Sequence, residues 1–181
     1  MTSTHAAVAG DRTVSDRHEY RTVFGSLADY RKGGVEVIED DPRNYVFSNV
    51  FEVASKAAPY ERIVVAKNME YVIEAVRAEG LSPWYACAHD EFALCMDGAV
   101  EVHLLKPDAP VVEEGSEGAR RLEEPPAGRK MGRLRLRRGH MGLLPAGSVY
   151  RFASDQPGVI TIQTILGPES VEKWAEICQT E

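Results

Sequence analysis

Large apolar side chains recur at every second position in the middle of the chain. They are Phe92, Leu94 and Met96 in one run and Val100, Val102 and Leu104 in the next, with an Asp-Gly pair between the two runs. A period of two predicts strands, because successive side chains of a strand point to opposite faces. Asp-Gly between two such runs is typical of a hairpin turn. We therefore predict a β-hairpin over residues 91–105, with Glu101 and His103 on the face opposite to the apolar one.

Similar patterns predict further strands, separated by residues that favour turns. These strands are residues 35–38, 62–66, 133–138, 140–144 and 159–165. In one of them Leu134 and Leu136 should point inward, with arginines on the other face. Residues 69–79 fit both a helix and a strand, and the pattern leaves residues 44–56 undecided.

Both ends of the chain carry features of a different kind. Residues 1–20 are mostly small and polar, which predicts a disordered tail before a single domain over residues 21–181. A short helix is predicted over residues 24–32, with Ser26 as its N-cap. A second helix is predicted over residues 168–179, because apolar residues there share one helical face.

The segment between the two halves of the domain is rich in turn-forming residues. Residues 106–132 contain several prolines and glycines together with charges of both signs. Such a composition is typical of a connection that runs over the protein surface. We therefore predict a long exposed loop there.

Composition and charge exclude several classes of function. With 181 residues, 44% apolar and 27% charged, the chain fits one globular domain. Its formal net charge of −7 argues against general binding to nucleic acid or to a membrane surface. The three cysteines have no CxxC pairing, so reduced thiols and a cytoplasmic location are expected.

Two spaced motifs define the fold more sharply than the alternation does. Glu91 precedes Gly98 with six residues between them, and Gly139 is followed after five residues by Pro-Ala-Gly. These spacings resemble the two signature motifs of the cupins. The resemblance implies an all-β cupin fold, a double-stranded β-helix (jelly-roll) barrel, here with N-terminal and C-terminal helical additions. It also favours a strand over residues 69–79.

The metal-binding positions of these motifs are largely missing. An ordinary cupin site holds Fe(II) or Mn(II) with imidazoles and a carboxylate and leaves positions open for substrate and oxygen. His89 and Glu91 are one imidazole and one carboxylate near the right places. The remaining positions fall on Trp84 and Ala86, or Tyr85 and Cys87, in the first motif and on Tyr150 in the second. We interpret His89, Glu91 and Tyr150 as a vestigial metal site, with Tyr150 filling the space of a histidine and its metal.

The amino-acid sequence of the central region resembles that of one subunit of a known enzyme family. The residues concerned are 45–54, followed by Ser82-Pro83-Trp84-Tyr85 and the run Ala88 to Gly98. They are similar to the small subunit of the two-component hydroquinone 1,2-dioxygenases. The resemblance implies a larger cupin partner that holds the catalytic Fe(II) and binds the phenolic substrate. It also implies no cofactor and no catalytic residue in this chain.

Two alternatives stay open at this point. A self-sufficient cupin dioxygenase could use His89 and Glu91 with a third ligand such as His103 or His140. A cupin binding protein without enzymatic activity would fit the same barrel. Parity along the strand argues against His103, because it shares the face opposite to the apolar one.

Trp84, Tyr85 and Cys87 have competing interpretations. The aromatic pair Trp84-Tyr85 follows a proline and is expected in the core or at the barrel rim. Aromatic side chains are also favoured at interfaces, so the pair is a candidate for contact with the partner or its phenol-binding pocket. Cys87 stands at one ligand position, but a free thiol beside alanines is usually a small core residue.

Overall fold

The computed structural model describes residues 25–30, 38–39 and 49–173. Within these ranges one helix precedes ten strands. The helix is α1 (Val50–Lys56), and the strands are β1 (Arg62–Asn68), β2 (Tyr71–Leu81), β3 (Trp84–Ala86), β4 (Glu91–Asp97), β5 (Ala99–Pro107), β6 (Arg120–Leu122), β7 (Gly128–Arg137), β8 (Met141–Leu144), β9 (Val149–Ile165) and β10 (Ser170–Val171). No helix among the described residues is long and apolar enough to cross a membrane.

The longest strand, β9, organises the sheet. It pairs with β2 along most of its length, with β4 through its C-terminal half and with β5 through its N-terminal half. The sheet continues from β4 to β8 and from β5 to β7. It curls so that residues of seven strands, β2 to β5 and β7 to β9, meet in one core. The predicted all-β cupin barrel is thereby confirmed.

The predicted hairpin at Asp97-Gly98 is wrong in its pairing, although both of its strands exist. β4 pairs with β8 and β9, and β5 pairs with β7 and β9, so the two strands do not pair with each other. Gly98 has φ +75°, and a Cβ there would lie 3.0 Å from Cα of Gly158. Gly98 therefore forms a bend between β4 and β5, and both strands pair with β9. Alternation predicts a strand's faces, but it does not predict which neighbour the strand pairs with.

Several other predictions about strands hold. Residues 69–79 lie almost entirely in β2, as the cupin resemblance favours. Val100 and Val102 are buried, while Glu101 and His103 lie on the opposite face. The predicted strand at residues 159–165 also exists, as the C-terminal part of the longer β9.

The predicted loop over residues 106–132 is only partly a loop. It contains β6, which pairs with β3, and the first residues of β7. Ala119 is buried, and Gly118 lies so close to Gly167 that a Cβ would meet its Cα at 2.3 Å. Turn-forming residues in this segment therefore mark bends of a chain that packs on the barrel.

The described parts of the two predicted helices, residues 25–30 and 168–173, are not helical. Within residues 25–30, the backbone groups of Ser26 and Asp29 bond to each other in a turn, and the N–H of Leu27 donates to the Asp97 carboxylate. Pro168 lies in a turn that leads into β10, which runs parallel to β1. Pairing with a sheet edge thus replaces the first helical turn. The predicted tail over residues 1–20, the strand at residues 35–37 and the part of the C-terminal helix after Lys173 lie outside the described residues.

The one helix of the described chain falls in the region that pattern left undecided. Asn49 caps α1, since its side-chain oxygen accepts from the N–H groups of Phe51 and Glu52. Val53 and Ala57 then pack against the outer face of β1 and β2. Because α1 covers that face, β1 is buried on both sides over its first four residues.

Candidate functional site

A cluster of charged and polar side chains lies inside the barrel, where Glu91 of the first cupin motif and Tyr150 of the second meet. Arg62 begins β1, Glu74 lies in the middle of β2, Glu91 begins β4 and Tyr150 lies near the start of β9. All four are 3% exposed or less. Each points inward because its strand alternates, with neighbours such as Val72 and Val76 on the same face as Glu74.

The Arg62 guanidinium joins the cluster together. Its Nε donates to Glu74 at 2.5 Å, and one terminal nitrogen donates to Glu91 at 2.7 Å. The other terminal nitrogen lies 3.2 Å from the hydroxyl of Tyr150, which donates in turn to the second oxygen of Glu91. Ser170 Oγ donates to the remaining oxygen of Glu74 at 2.6 Å. Every oxygen of both carboxylates is therefore engaged.

The pKa shifts follow from this geometry. Burial disfavours the charge on Arg62, but the facing Glu74, Tyr150 and Glu91 outweigh it and hold the Arg62 pKa well above its ordinary value. Burial also opposes the charge on Glu91, yet Arg62 and the Tyr150 hydroxyl lower its pKa. For Tyr150, burial and the adjacent Glu91 raise the pKa well above normal. The cluster therefore consists of a cation, ionised Glu91 and a neutral phenol.

His89 is near this cluster but has its own partners. The backbone N–H of Ile165 donates to Nε2 at 3.3 Å, and Thr164 Oγ1 lies 3.0 Å from the same atom. Nδ1 lies 3.2 Å from the sulfur of Cys87. Since Nε2 accepts a hydrogen bond, Nδ1 carries the proton of the neutral ring.

Cys87 completes a group of potential ligands. Among the described residues, ligand atoms of Cys87, His89 and Glu91 all lie within 4.8 Å of one another. The Cys87 thiol donates to the carbonyl of Gly118 at 3.3 Å. Burial, with a further contribution from Glu91, raises the pKa of this thiol to about 12. Without a metal ion this thiol is therefore protonated.

The other histidine candidates lie away from the cluster. His103 Nε2 lies 3.1 Å from Glu101 on the outer face of β5, as parity predicts. His140 is exposed and accepts the N–H of Arg137 at 3.3 Å. The structure thus does not bring His103 or His140 together with His89.

The aromatic pair is split between two environments. Tyr85 is 3% exposed and points into the barrel, with its ring 5.8 Å from that of Tyr150 and 5.6 Å from the Arg62 guanidinium. Trp84 is half-buried, and the guanidinium of Arg151 lies 4.6 Å from its ring. Adjacent residues of a strand face opposite ways, so only Trp84 remains near the outer surface.

Sequence reasoning missed Arg62 and Glu74. Alternation with Val72 and Val76 was a signal that Glu74 points inward, and an inward carboxylate needs a partner. Arg62 gave a weaker signal, because an arginine at the start of an apolar strand is ordinarily exposed. Its burial depends on β2, β4 and β9, which supply Glu74, Glu91 and Tyr150.

Solved structures of high similarity come from one kind of enzyme. The chain is 64% identical to a hydroquinone 1,2-dioxygenase chain from Sphingomonas sp. TTNP3 solved with 4-hydroxybenzoate, covering 89% of this chain and 98% of that one with a TM-score of 0.86. It is 56% identical to a chain of the hydroquinone 1,2-dioxygenase PnpCD in complex with Cd²⁺ and 4-hydroxybenzonitrile, covering 88% and 97% with a TM-score of 0.84.

A more distant match shows the fold alone. It is to a chain of PnpCD in complex with Fe³⁺, at 13% identity and a TM-score of 0.57, and it covers 82% of this chain but 42% of that one. No protein-family model matches this sequence, and a comparison with curated proteins finds no significant match.

Proposed function

We propose that this chain, which belongs to the hydroquinone 1,2-dioxygenase family, is the small, non-catalytic subunit of such an enzyme. The chain matches 97% of one PnpCD chain but only 42% of another that has the same fold. Chains of two lengths in one enzyme support a two-component assembly. The larger cupin subunit would then hold the catalytic Fe(II) and the hydroquinone whose ring is cleaved in aromatic catabolism.

The observation that carries this proposal is the position of Arg62. Its guanidinium lies 2.7 Å from Glu91, the carboxylate that the first cupin motif assigns to a metal. The other oxygen of Glu91 accepts from Tyr150. A metal ion at Glu91 would have to displace these partners and approach a buried cation, which Coulomb repulsion disfavours. We therefore assign no stoichiometric iron to this chain.

The proposed contribution of the chain is structural and positional. Bound Fe(II) on the partner would supply a site where the phenolate and dioxygen meet, and the protein around it would orient the substrate and exclude water. This chain would stabilise that arrangement from outside. His89, Glu91 and Tyr150 would serve the barrel of the small subunit itself.

Trp84 is the residue of the aromatic pair that we propose for contact near the partner's pocket. Its ring lies against Arg151 near the outer surface, whereas Tyr85 is inside the barrel. In the assembled enzyme, Trp84→Ala is expected to raise KM for hydroquinone with little change in subunit association. An unchanged KM would remove Trp84 from the proposal.

A second candidate is a metal-dependent activity of this chain alone. It is favoured by the proximity of Cys87, His89 and Glu91 within 4.8 Å. It requires a Cys87 thiolate, although the pKa of this thiol is raised to about 12. It also requires release of Glu91 from Arg62.

Iron content and ring cleavage distinguish the two candidates. The purified chain is expected to contain no stoichiometric Fe(II) and to consume no dioxygen with hydroquinone, until the cognate larger cupin chain is added. One Fe(II) per chain with turnover in isolation would overturn the proposal. In that case His89→Ala should remove the metal, while His140→Ala, at an exposed histidine, should leave it in place.

A cytoplasmic location is part of the same proposal. Cys87 and Cys95 are both buried free thiols. Reduced thiols persist where glutathione and thioredoxin keep cysteines reduced. Fractionation of cells that express the chain would check this.

A further inference from the structure

One outer face of the barrel carries a row of exposed side chains that is apolar apart from Gln163 of β9. Leu143 of β8 is opposite Phe92 of β4, Phe92 is opposite Gln163 of β9, and Gln163 is opposite Ile73 of β2. Phe92, Leu143 and Ile73 are 39%, 43% and 41% exposed. With strands about 4.8 Å apart, the row is about 14 Å wide.

A second row extends this apolar face. Met141 of β8, next along the strand on the same side as Leu143, is opposite Leu94 of β4. Met141 is 60% exposed. Tyr71 of β2, which is opposite Ile165 of β9, extends the face on the other side of the first row and is 56% exposed. We call Tyr71, Ile73, Phe92, Met141 and Leu143 the apolar sheet face.

The strand register fixes which side chains form the apolar sheet face. The neighbours of Phe92 along the strand, Glu91 and Ala93, are fully buried, as are those of Ile73. Turning Phe92 inward would move Glu91 and Ala93 outward, because the side-chain period is two. The exposed set is therefore fixed by the same register that builds the interior.

Two neighbouring surfaces indicate that this exposure serves a contact. On β1 and β2 the outer face is also apolar, and there α1 covers Ile63, Val65 and Ala75. The outer face of β5 and β7, in contrast, is charged, with Glu101 contacting Arg133 and Arg135. The surface of β1 and β2 under α1 is thus apolar, whereas the solvent-facing surface of β5 and β7 is mostly charged. Contiguous apolar patches on a protein surface mark interaction sites.

We propose that the apolar sheet face is the surface through which this chain docks onto the barrel of the larger subunit. The proposal rests on the proposed function and names the contact that the function requires. The five residues of the face are uncharged, and Gln163 between them is polar, so a mostly apolar partner surface fits there. The longer PnpCD chain has a barrel of this fold over 42% of its length. Two related barrels can lay matching sheets against each other at about 10 Å.

A second copy of this chain is a poorer occupant. Each copy has a formal net charge of −7, so two copies repel each other at long range. The rest of the longer chain, more than half of its length, leaves material to contact Trp84 on β3, which is not part of the apolar sheet face. Docking through the apolar sheet face and a contact at Trp84 are therefore compatible.

The test introduces a charge at the centre of the face. Phe92→Lys and Leu143→Lys are each expected to weaken binding of the cognate larger chain by about a hundredfold or more, because a buried unpaired charge is strongly disfavoured at an interface. Binding is measured by titration calorimetry with the purified full-length chains. Met131→Lys is the matched control, since Met131 is a 47% exposed apolar residue on β7, outside the apolar sheet face. Circular dichroism confirms that each variant is folded.

The outcomes separate this inference from the proposed function. Loss of binding in both face variants with wild-type binding in Met131→Lys supports the docking surface. Wild-type affinity in Phe92→Lys and Leu143→Lys overturns it, while the proposed function stands. If the unmodified chain does not bind the larger chain, the proposed function itself fails. A dimer of this chain in isolation that Phe92→Lys converts to a monomer would assign the face to a second copy and overturn the inference.

Discussion

The barrel interior has two parts that are held together by different physics. One part is apolar and includes Val102, Phe152 and Ile160. The other part contains Arg62 between Glu74 and Glu91, equally buried. Apolar packing is non-directional and tolerates small changes of shape. A buried ion cluster depends on every member, because removing one leaves an uncompensated charge. The difference teaches that the residues around the two cupin motifs form an ordered polar centre within an otherwise apolar interior.

Removing the central cation should lower the free energy of unfolding more than any other single change in either part. Arg62→Met leaves Glu74 and Glu91 buried without their partner, so we expect the free energy of unfolding to fall by about 3–5 kcal/mol. Urea unfolding at neutral pH measures the loss. Adding Glu74→Gln and Glu91→Gln to the same variant should recover most of it. A loss below about 1 kcal/mol would mean that the cluster contributes no more than a surface ion pair.

Removing one hydrogen bond from the cluster should have a smaller effect. Tyr150→Phe leaves one oxygen of Glu91 unsatisfied in the core, which costs about 1–3 kcal/mol of unfolding free energy. The same urea titration applies. Tyr71→Phe is the control, because Tyr71 is 56% exposed and its hydroxyl reaches solvent. Equal stability of the two variants would contradict the role given to the Tyr150 hydroxyl.

Acid should weaken the charged part selectively. The pKa of Glu91 is lowered in the folded chain, so its contribution is present above the ordinary carboxyl pKa and is lost as pH falls through the lowered value. The effect should be smaller than that of Arg62→Met, because the guanidinium keeps its contact with Glu74. Unfolding free energies measured from about pH 6 to about pH 3 should fall less steeply in Glu91→Gln than in the wild type. Parallel curves would show that Glu91 titrates normally.

A conservative change in the apolar part should have the smallest effect. Ile160→Val removes one methylene from a fully buried site and should cost about 1 kcal/mol. Ile73→Val, at a 41% exposed residue, should cost less. Thermal and urea unfolding check both. If Ile160→Val were as destabilising as Arg62→Met, the two parts would not differ in tolerance.

Motif spacing predicted some residues of the candidate site and missed others. Motif spacing identified Glu91 and Tyr150, and the structure places them in direct contact. The same reasoning did not find Arg62, which is 29 residues before Glu91 and 88 before Tyr150. Spacing identifies positions within one motif, whereas a partner from another strand depends on how the sheet curls.

Local rules also explain the errors in the fold. The Asp-Gly pair at residues 97–98 satisfies the chemistry of a hairpin turn, and Pro168 satisfies that of a helix start. In the structure β9 accepts both β4 and β5, and β1 accepts the strand that follows Pro168. A long-range pairing partner therefore outweighed the local preference in both places.

The sequence by itself determined the all-β class, the cupin motifs and the inward or outward direction of side chains in β5 and β7. These depend on periodicity and spacing, which are local. Only the tertiary structure decided that Arg62 joins Glu74 and Glu91, that Tyr85 and Trp84 lie in different environments, and that Phe92 and Leu143 share one exposed face. Those outcomes depend on which strands pair with each other, and this long-range pairing is set only when the whole sheet curls into a barrel.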